Sequence, residues 1–141
     1  MTEQSPVYEK LNWLLDGLLD RVPDTLHVIV LSQDGLLLAR SRDVSKDDAD
    51  HMSALASGLH SLSMGAARRF HGGRVRQTVI EMENVLLLIT AGGDGSRLAL
   101  LANENVDAGM AAYEMAKVVQ QVGAHLSAAP RLEVAAGDQS R

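Results

Sequence analysis

"VIVLSQDGLLLARS", residues 28–41, sets two apolar runs on either side of Asp34-Gly35, with hardly a polar residue inside either run. Asp-Gly supplies the positive φ angles of a tight two-residue hairpin, so the stretch reads as two antiparallel strands. A half-exposed antiparallel strand alternates apolar and polar residues, whereas a strand apolar at successive positions is buried on both faces. Helices must therefore cover both sides of the sheet.

Those helices can be found on either side of the hairpin. In "SPVYEKLNWLLDGLLDRVP", Leu11, Leu14, Leu15, Leu18, Leu19 and Val22 share one helical face. Ser5 and Pro6 form a cap and first-turn pair, and Pro23 is a stop signal. A second helix is expected over residues 45–70, with Ser45 and Asp48 spaced as a capping box and Gly72-Gly73 beyond its end. "VRQTVIEM", "VLLLITA" and "RLALLAN" then read as strands joined by "EN" and "GGDGS", connections short enough to permit only antiparallel neighbours. The first of the three carries Arg76, Gln77, Thr78 and Glu81, the composition of an edge strand. "DAGMAAYEMAKVVQQVGAHL" is a third helix, with Ala111, Met115, Val118, Val119, Val122 and Leu126 on one face.

The expected fold class is α+β: five antiparallel strands in the element order αββαβββα, with one helix on one face of the sheet and two on the other. The expected division is an N-terminal extension (1–5), one domain (6–128) and a flexible C-terminal tail (129–141), where no period is visible after Pro130.

Composition narrows the function. The formal net charge of −5 offers phosphate backbones no long-range attraction, so nucleic acid is not an expected partner. The absence of cysteine removes thiolate chemistry and thiolate metal sites. No signal-peptide pattern and no spanning apolar run are visible; the expectation is a cytoplasmic protein, with no direct membrane insertion and any membrane association made through partners.

The second helix carries two patterns. Met52, Leu55, Leu59, Leu62 and Ala66, with Phe70 beyond, form a stripe expected to face the sheet. Ala54, Gly58, Ser61 and Gly65 form a seam of small residues, and each interior glycine costs about 1 kcal/mol relative to alanine. Either the glycines are tolerated surface residues, or let the helix sit close to its own sheet, or a second helix approaches along the seam. A symmetry-related copy of the chain could supply that helix.

No catalytic constellation emerges. His27, His51, His60, His71 and His125 include no metal-binding pair, and structural or solvated roles suit them. "GGDGS" lacks the lysine and following helix of a phosphate loop. "DVSKDDAD" fails as a calcium loop at Asp48 and Ala54, and no serine sits in a nucleophile motif. The expectation is no enzyme activity, no cofactor and no metal. Arg68, Arg69, Arg74 and Arg76 cluster at the end of the second helix and the start of the edge strand. They read either as a solvated helix terminus with a charged edge, or as a protein contact in which guanidinium pairs with carboxylate or phosphate.

The stretches "GLLDRVPDTLHVIVLSQDGLLLARS", "HMSALASGLHSL", "GGRVRQTVIEMENVLLLITAGGDGSRLALLA" and "AAYEMAKVVQQVGAHL", in this order and spacing, resemble the roadblock (dynein light-chain-related) family in its bacterial form. The resemblance implies a profilin-like architecture, a five-stranded antiparallel sheet with the second helix on one face and the first and third on the other, and a homodimer in which the second helices pair and the third strands join two sheets. Here that assigns Ala54, Gly58, Ser61, Gly65, Arg76, Thr78 and Ile80 to the dimer interface, and leaves Arg68, Arg69 and Arg74 for partner contact. It further implies a non-catalytic regulator or adaptor of a small Ras-like GTPase, encoded in cassettes with a sensor kinase, where any GTPase activation works by ordering the GTPase's own residues. The alternative is a purely structural scaffold subunit that bridges other proteins. A small-molecule sensor is a third reading, for which the sequence assembles no pocket.

Overall fold

The computed structural model describes the backbone of residues 6–139 and the side chains of residues 7–127. The N-terminal extension, and with it Ser5 as a cap, lies outside the described residues. The elements run α1 (Pro6–Arg21), β1 (Thr25–Leu31), β2 (Leu37–Arg40), α2 (Lys46–Arg69), β3 (Gln77–Glu81), β4 (Val85–Ala91), β5 (Arg97–Asn103) and α3 (Ala108–Gln139). The strands form one antiparallel sheet in the order β2-β1-β5-β4-β3. This is the expected order αββαβββα.

Two cores flank the sheet, as the unbroken apolar runs require. Val28, Val30, Leu88, Leu98 and Leu100 face α1 and α3, where they meet Leu11, Leu15, Leu18, Met115, Val118 and Val122. The intervening residues Ile29, Leu31, Leu87, Ile89 and Ala99 face α2 and meet Ala49, Met52 and Ala56. Successive residues of one strand thus serve opposite cores. No helix among the described residues is long and apolar enough to cross a membrane.

The β1–β2 connection differs from the expected two-residue turn. Ser32 N–H donates to Leu36 O at 2.8 Å and Gly35 N–H to Ser32 O at 3.0 Å. Only Gly35 has positive φ (89°), so Gln33, Asp34 and Gly35 form a three-residue loop closed by a left-handed glycine. The β4–β5 turn repeats the construction: Gly92 N–H donates to Ser96 O at 2.8 Å, Gly95 N–H to Gly92 O at 3.2 Å, and Gly95 has φ 97°. A side chain at Gly95 would also strike Gln33 Oε1, 2.8 Å from the site of its Cβ. The two turns lie side by side because Leu31 pairs with Arg97.

Helix α2 is capped as its sequence specifies: Asp48 N–H donates to Ser45 Oγ at 3.0 Å. Its end is closed by Gly72 N–H donating to Ala67 O at 2.8 Å, with His71, rather than a glycine, taking the left-handed position (φ 55°). Helix α3 continues past Leu126 and through Pro130 to Gln139, where the sequence showed no helical period. Residues 140–141 lie outside the described residues.

Candidate protein-binding surface

The two edges of the sheet are treated differently. At β2, helix α1 covers the outer backbone: Arg40 N–H donates to Asn12 Oδ1 at 3.2 Å and Arg42 N–H to Asp16 Oδ1 at 2.7 Å. Arg42 also pairs with Asp20 of α1, and that contact holds the Asp20 carboxyl below its ordinary range. At the opposite edge β3 pairs only with β4 among the described residues, and none of their strands lies beside its outer N–H and C=O groups. Helix α3 crosses β4 and β5, while α2 lies against β3. An open strand edge of this kind is a template for another chain.

Residues Thr78 and Ile80 on β3 are half-buried beneath α2. Thr78 Oγ1 lies 3.2 Å from Ser63 Oγ, and Ile80 packs against the α2-side core. Their side chains face inward, so on this strand the groups available to another chain are the backbone edge and the exposed Gln77, Val79 and Glu81. The ladder fixes which backbone groups form that edge. Met82 N–H donates to Val85 O and, at the other end, Ala91 N–H to Arg76 O, so the even-numbered residues bond to β4. Hydrogen-bonded and free pairs alternate in an antiparallel ladder, which turns the N–H and C=O of Gln77, Val79 and Glu81 outward. Arg76 is exposed just before the strand begins.

The expected orientation of α2 needs correction. The residues it turns to the sheet are Ala49, Met52, Ser53, Ala56 and His60, with Leu59 half-buried beside them. Leu55, Leu62 and Phe70, read from the sequence as core, are exposed; Leu62 and Phe70 retain 74% and 76% of their surface. The physical reason is spacing. The sheet face below α2 is already filled by Ile29, Leu31, Leu87 and Ile89, and small residues at 49, 53 and 56 let the helix approach it. Ser53 Oγ, buried with them, donates to Gly35 O at 2.9 Å and locks this rotation.

Turning the small face inward leaves the other seam outside. Ala54, Gly58 and Ser61 lie on the outer side of the helix and Gly65 is half-exposed, flanked by Leu55 and Leu62. A Cβ added at Gly58 or Gly65 would meet nothing within 4 Å. The reading in which these glycines let α2 sit close to its own sheet is thereby excluded. The structure thus brings Ala54, Gly58, Ser61 and Gly65 into one open strip, and sets Thr78 and Ile80 beneath the same helix rather than on its outer face.

Arg68, Arg69, Arg74 and Arg76 are all exposed, and none makes an ion pair among the described residues. Arg68 and Arg74 border one cavity together with Arg97 of β5, a residue that the sequence pattern did not single out. No group of three or more acidic or histidine residues suited to a metal ion occurs among the described residues.

Comparison with known proteins gives the arrangement a setting. The family model described as the Roadblock/LC7 domain matches residues 11–102. A Roadblock/LC7 domain from Streptomyces avermitilis is 45% identical, covers 82% of this chain and 97% of its own, and superposes with a TM-score of 0.78. The gliding protein MglB from Thermus thermophilus is 16% identical over 89% of this chain and 94% of its own, with a TM-score of 0.77. A structure described as MglB with a tetrameric arrangement is 15% identical over 89% and 93%, with a TM-score of 0.78. At those identities the MglB structures show likeness of fold. No curated protein matches the chain.

Proposed function

Since the chain belongs to the Roadblock/LC7 domain family, we propose that it is a non-catalytic homodimeric regulator or adaptor that binds a small Ras-like GTPase in a bacterial signalling complex. Family membership supports a regulatory or adaptor role. The dimeric part of the reading is carried by one observation: Gly58 and Gly65 stand in open space on a strip flanked by exposed Leu55 and Leu62. A copy of α2 laid antiparallel on that strip would bring the two glycines of each helix against the backbone of the other, and would cover the leucines. The open β3 edge lies beside the same helix, so a two-fold axis there pairs two β3 strands and continues the sheet across both protomers.

The GTPase contact falls to what such a dimer leaves exposed, with Arg68, Arg69 and Arg74 as the side chains suited to carboxylates on a partner. The chain's own part in any activation is to hold and order the GTPase, since the proposal assigns it no catalytic residue. A regulator distinguishes the nucleotide state of its GTPase, and a scaffold has no need to. Titration of the protein with a Ras-like GTPase from the same organism, loaded either with GDP or with a non-hydrolysable GTP analogue, is expected to show tighter binding to one state. Equal affinity for both states would replace the regulator with the scaffold reading.

A further inference from the structure

A cavity of ≈ 450 Å³ opens between the C-terminal end of α2, the segment leading into β3 and the β4–β5 turn. Its charged lining is of one sign. Arg68, Arg74 and Arg97 border it with His60 and His71, and no Asp or Glu among the described residues does so. This happens on a chain whose formal net charge is −5. Arg68 is accounted for by its place in the last turn of α2, where a cation complements the helix dipole. Arg97 has no such account, because it enters from β5 and is 8% exposed.

The hydrogen bonds of Arg97 are unevenly distributed over its guanidinium. Nη1 donates to Gln33 O at 2.8 Å and, at 3.4 Å each, to Ser32 O and Gly95 O, tying the β1–β2 turn to the β4–β5 turn. Nε is buried with no partner. Among the described residues Nη2 has only the Met64 thioether, with Sδ at 4.0 Å, a weak acceptor. The unused donors therefore lie on one side, the Nε–Nη2 edge, whose two parallel N–H groups match the spacing of two oxygens of a carboxylate or phosphate. No carboxylate among the described residues pairs with this buried cation, and a buried charge without a counter-ion is costly. The same burial lowers the pKa of Arg97, and burial together with the Arg97 charge lowers that of His60.

We propose that this cavity is a binding site for a small molecule bearing a phosphate or carboxylate group, received bidentately by the Nε–Nη2 edge of Arg97 with Arg74 and Arg68 at the mouth. Met64, unbranched and flexible, covers that edge and moves aside when the anion enters. The site shares Arg68 and Arg74 with the proposed GTPase contact, but anion binding is read on the protein alone, so its outcome does not decide whether a GTPase binds.

The test is a titration of the intact protein with inorganic phosphate, and in parallel with succinate, at constant ionic strength made up with chloride. The Arg97 Nε–H and the His60 ring are followed by nuclear magnetic resonance. The expected result is saturable movement of both signals with phosphate or succinate, the better of the two identifying the head group. Arg74→Gln is expected to weaken binding about tenfold, the loss of one charge-assisted hydrogen bond. Arg97→Lys keeps the charge but removes the fork, and is expected to abolish saturation; because Arg97 also ties two turns together, Arg74→Gln on the exposed rim carries the test if that variant does not fold. Signals that move alike with chloride, or without saturation, or equally in Arg74→Gln, would overturn the proposal and leave the arginines as a solvated helix terminus.

Discussion

The glycines of α2 permit a test in which two measurable quantities are expected to move in opposite directions. In the isolated protomer a Cβ at Gly58 or Gly65 meets nothing within 4 Å, and neither residue has positive φ. Alanine at each position should then gain the full difference in helix propensity, about 1 kcal/mol. The two sites lie seven residues apart, roughly 10 Å along the helix, so the gains add to about 2 kcal/mol. For a domain of this size that corresponds to a rise of about 8 °C in melting temperature. If α2 meets its symmetry mate along this strip, each dimer must accommodate four added methyl groups between close backbones, where overpacking costs about 1–3 kcal/mol per site. Dimerisation should weaken at least tenfold. Urea denaturation at several protein concentrations separates the two quantities, because only the association term varies with concentration; light scattering gives the dissociation constant directly. A double variant that dimerises as tightly as the wild type would refute the helix contact. One whose dilute monomer is no more stable would refute the claim that the glycines face open space.

Two further outcomes follow from single residues. Replacing His71, which holds the left-handed position after α2, with glycine should stabilise the protein by about 0.5–1 kcal/mol in chemical denaturation; a loss would mean that the histidine side chain makes a contact worth more than its backbone strain. His60 is buried, and burial and the Arg97 charge lower its pKa from the ordinary 6.5. The unfolded chain then binds the proton more readily than the folded one, so stability should fall as pH drops from 6.5 toward the lowered folded value and level off below it. His60→Gln should remove that part of the pH dependence, and parallel stability–pH curves for the two proteins would contradict it.

How far the sequence could be read depended on how many apolar stripes an element carries. Helices α1 and α3 each have one, and Leu11, Leu15 and Leu18, like Met115, Val118 and Val122, are buried as their spacing requires. Helix α2 has two, and helical periodicity says only that both exist. The stripe of larger residues looks like core by hydrophobicity, but the choice between them rests on the bulk already projecting from β1 and β4, a tertiary fact. The turn at Asp34-Gly35 was legible as a turn, while its type depended on pairing between Ser32 and Leu36. The small-residue seam could be found because an interior glycine is unfavourable on its own account. Arg97 could not, because its burial arises only when β1 and β5 pair and bring the Ser32–Gln33 carbonyls over the guanidinium.

The unequal treatment of the two sheet edges links the fold to its use. A five-stranded sheet has two edges, and unprotected edges invite indiscriminate pairing. At β2 the outward amide of Arg40, and that of Arg42 just past the strand, are taken by Asn12 and Asp16, so α1 serves both as core and as edge cover. No element among the described residues does this for β3. Its inward residues Thr78 and Ile80 are secured by α2, which fixes the position of the strand while its outer backbone stays available. A strand held rigidly on one side and open on the other presents its outer groups in one position, since β3 itself cannot slip by a residue without carrying Thr78 and Ile80 out from under the helix. The α2 strip lies beside that edge, so both surfaces can be covered by one partner in one orientation. Proline at Val79 separates the edge from the strand that carries it. Val79 is exposed and its N–H points away from β4, so the substitution deletes an outward donor and leaves the β3–β4 ladder intact. The dimer dissociation constant is expected to rise about tenfold, while the dilute protomer keeps its helical circular dichroism and cooperative melting. An unchanged dissociation constant in light scattering would mean that the β3 edge takes no part in the dimer, whatever the fate of the α2 strip.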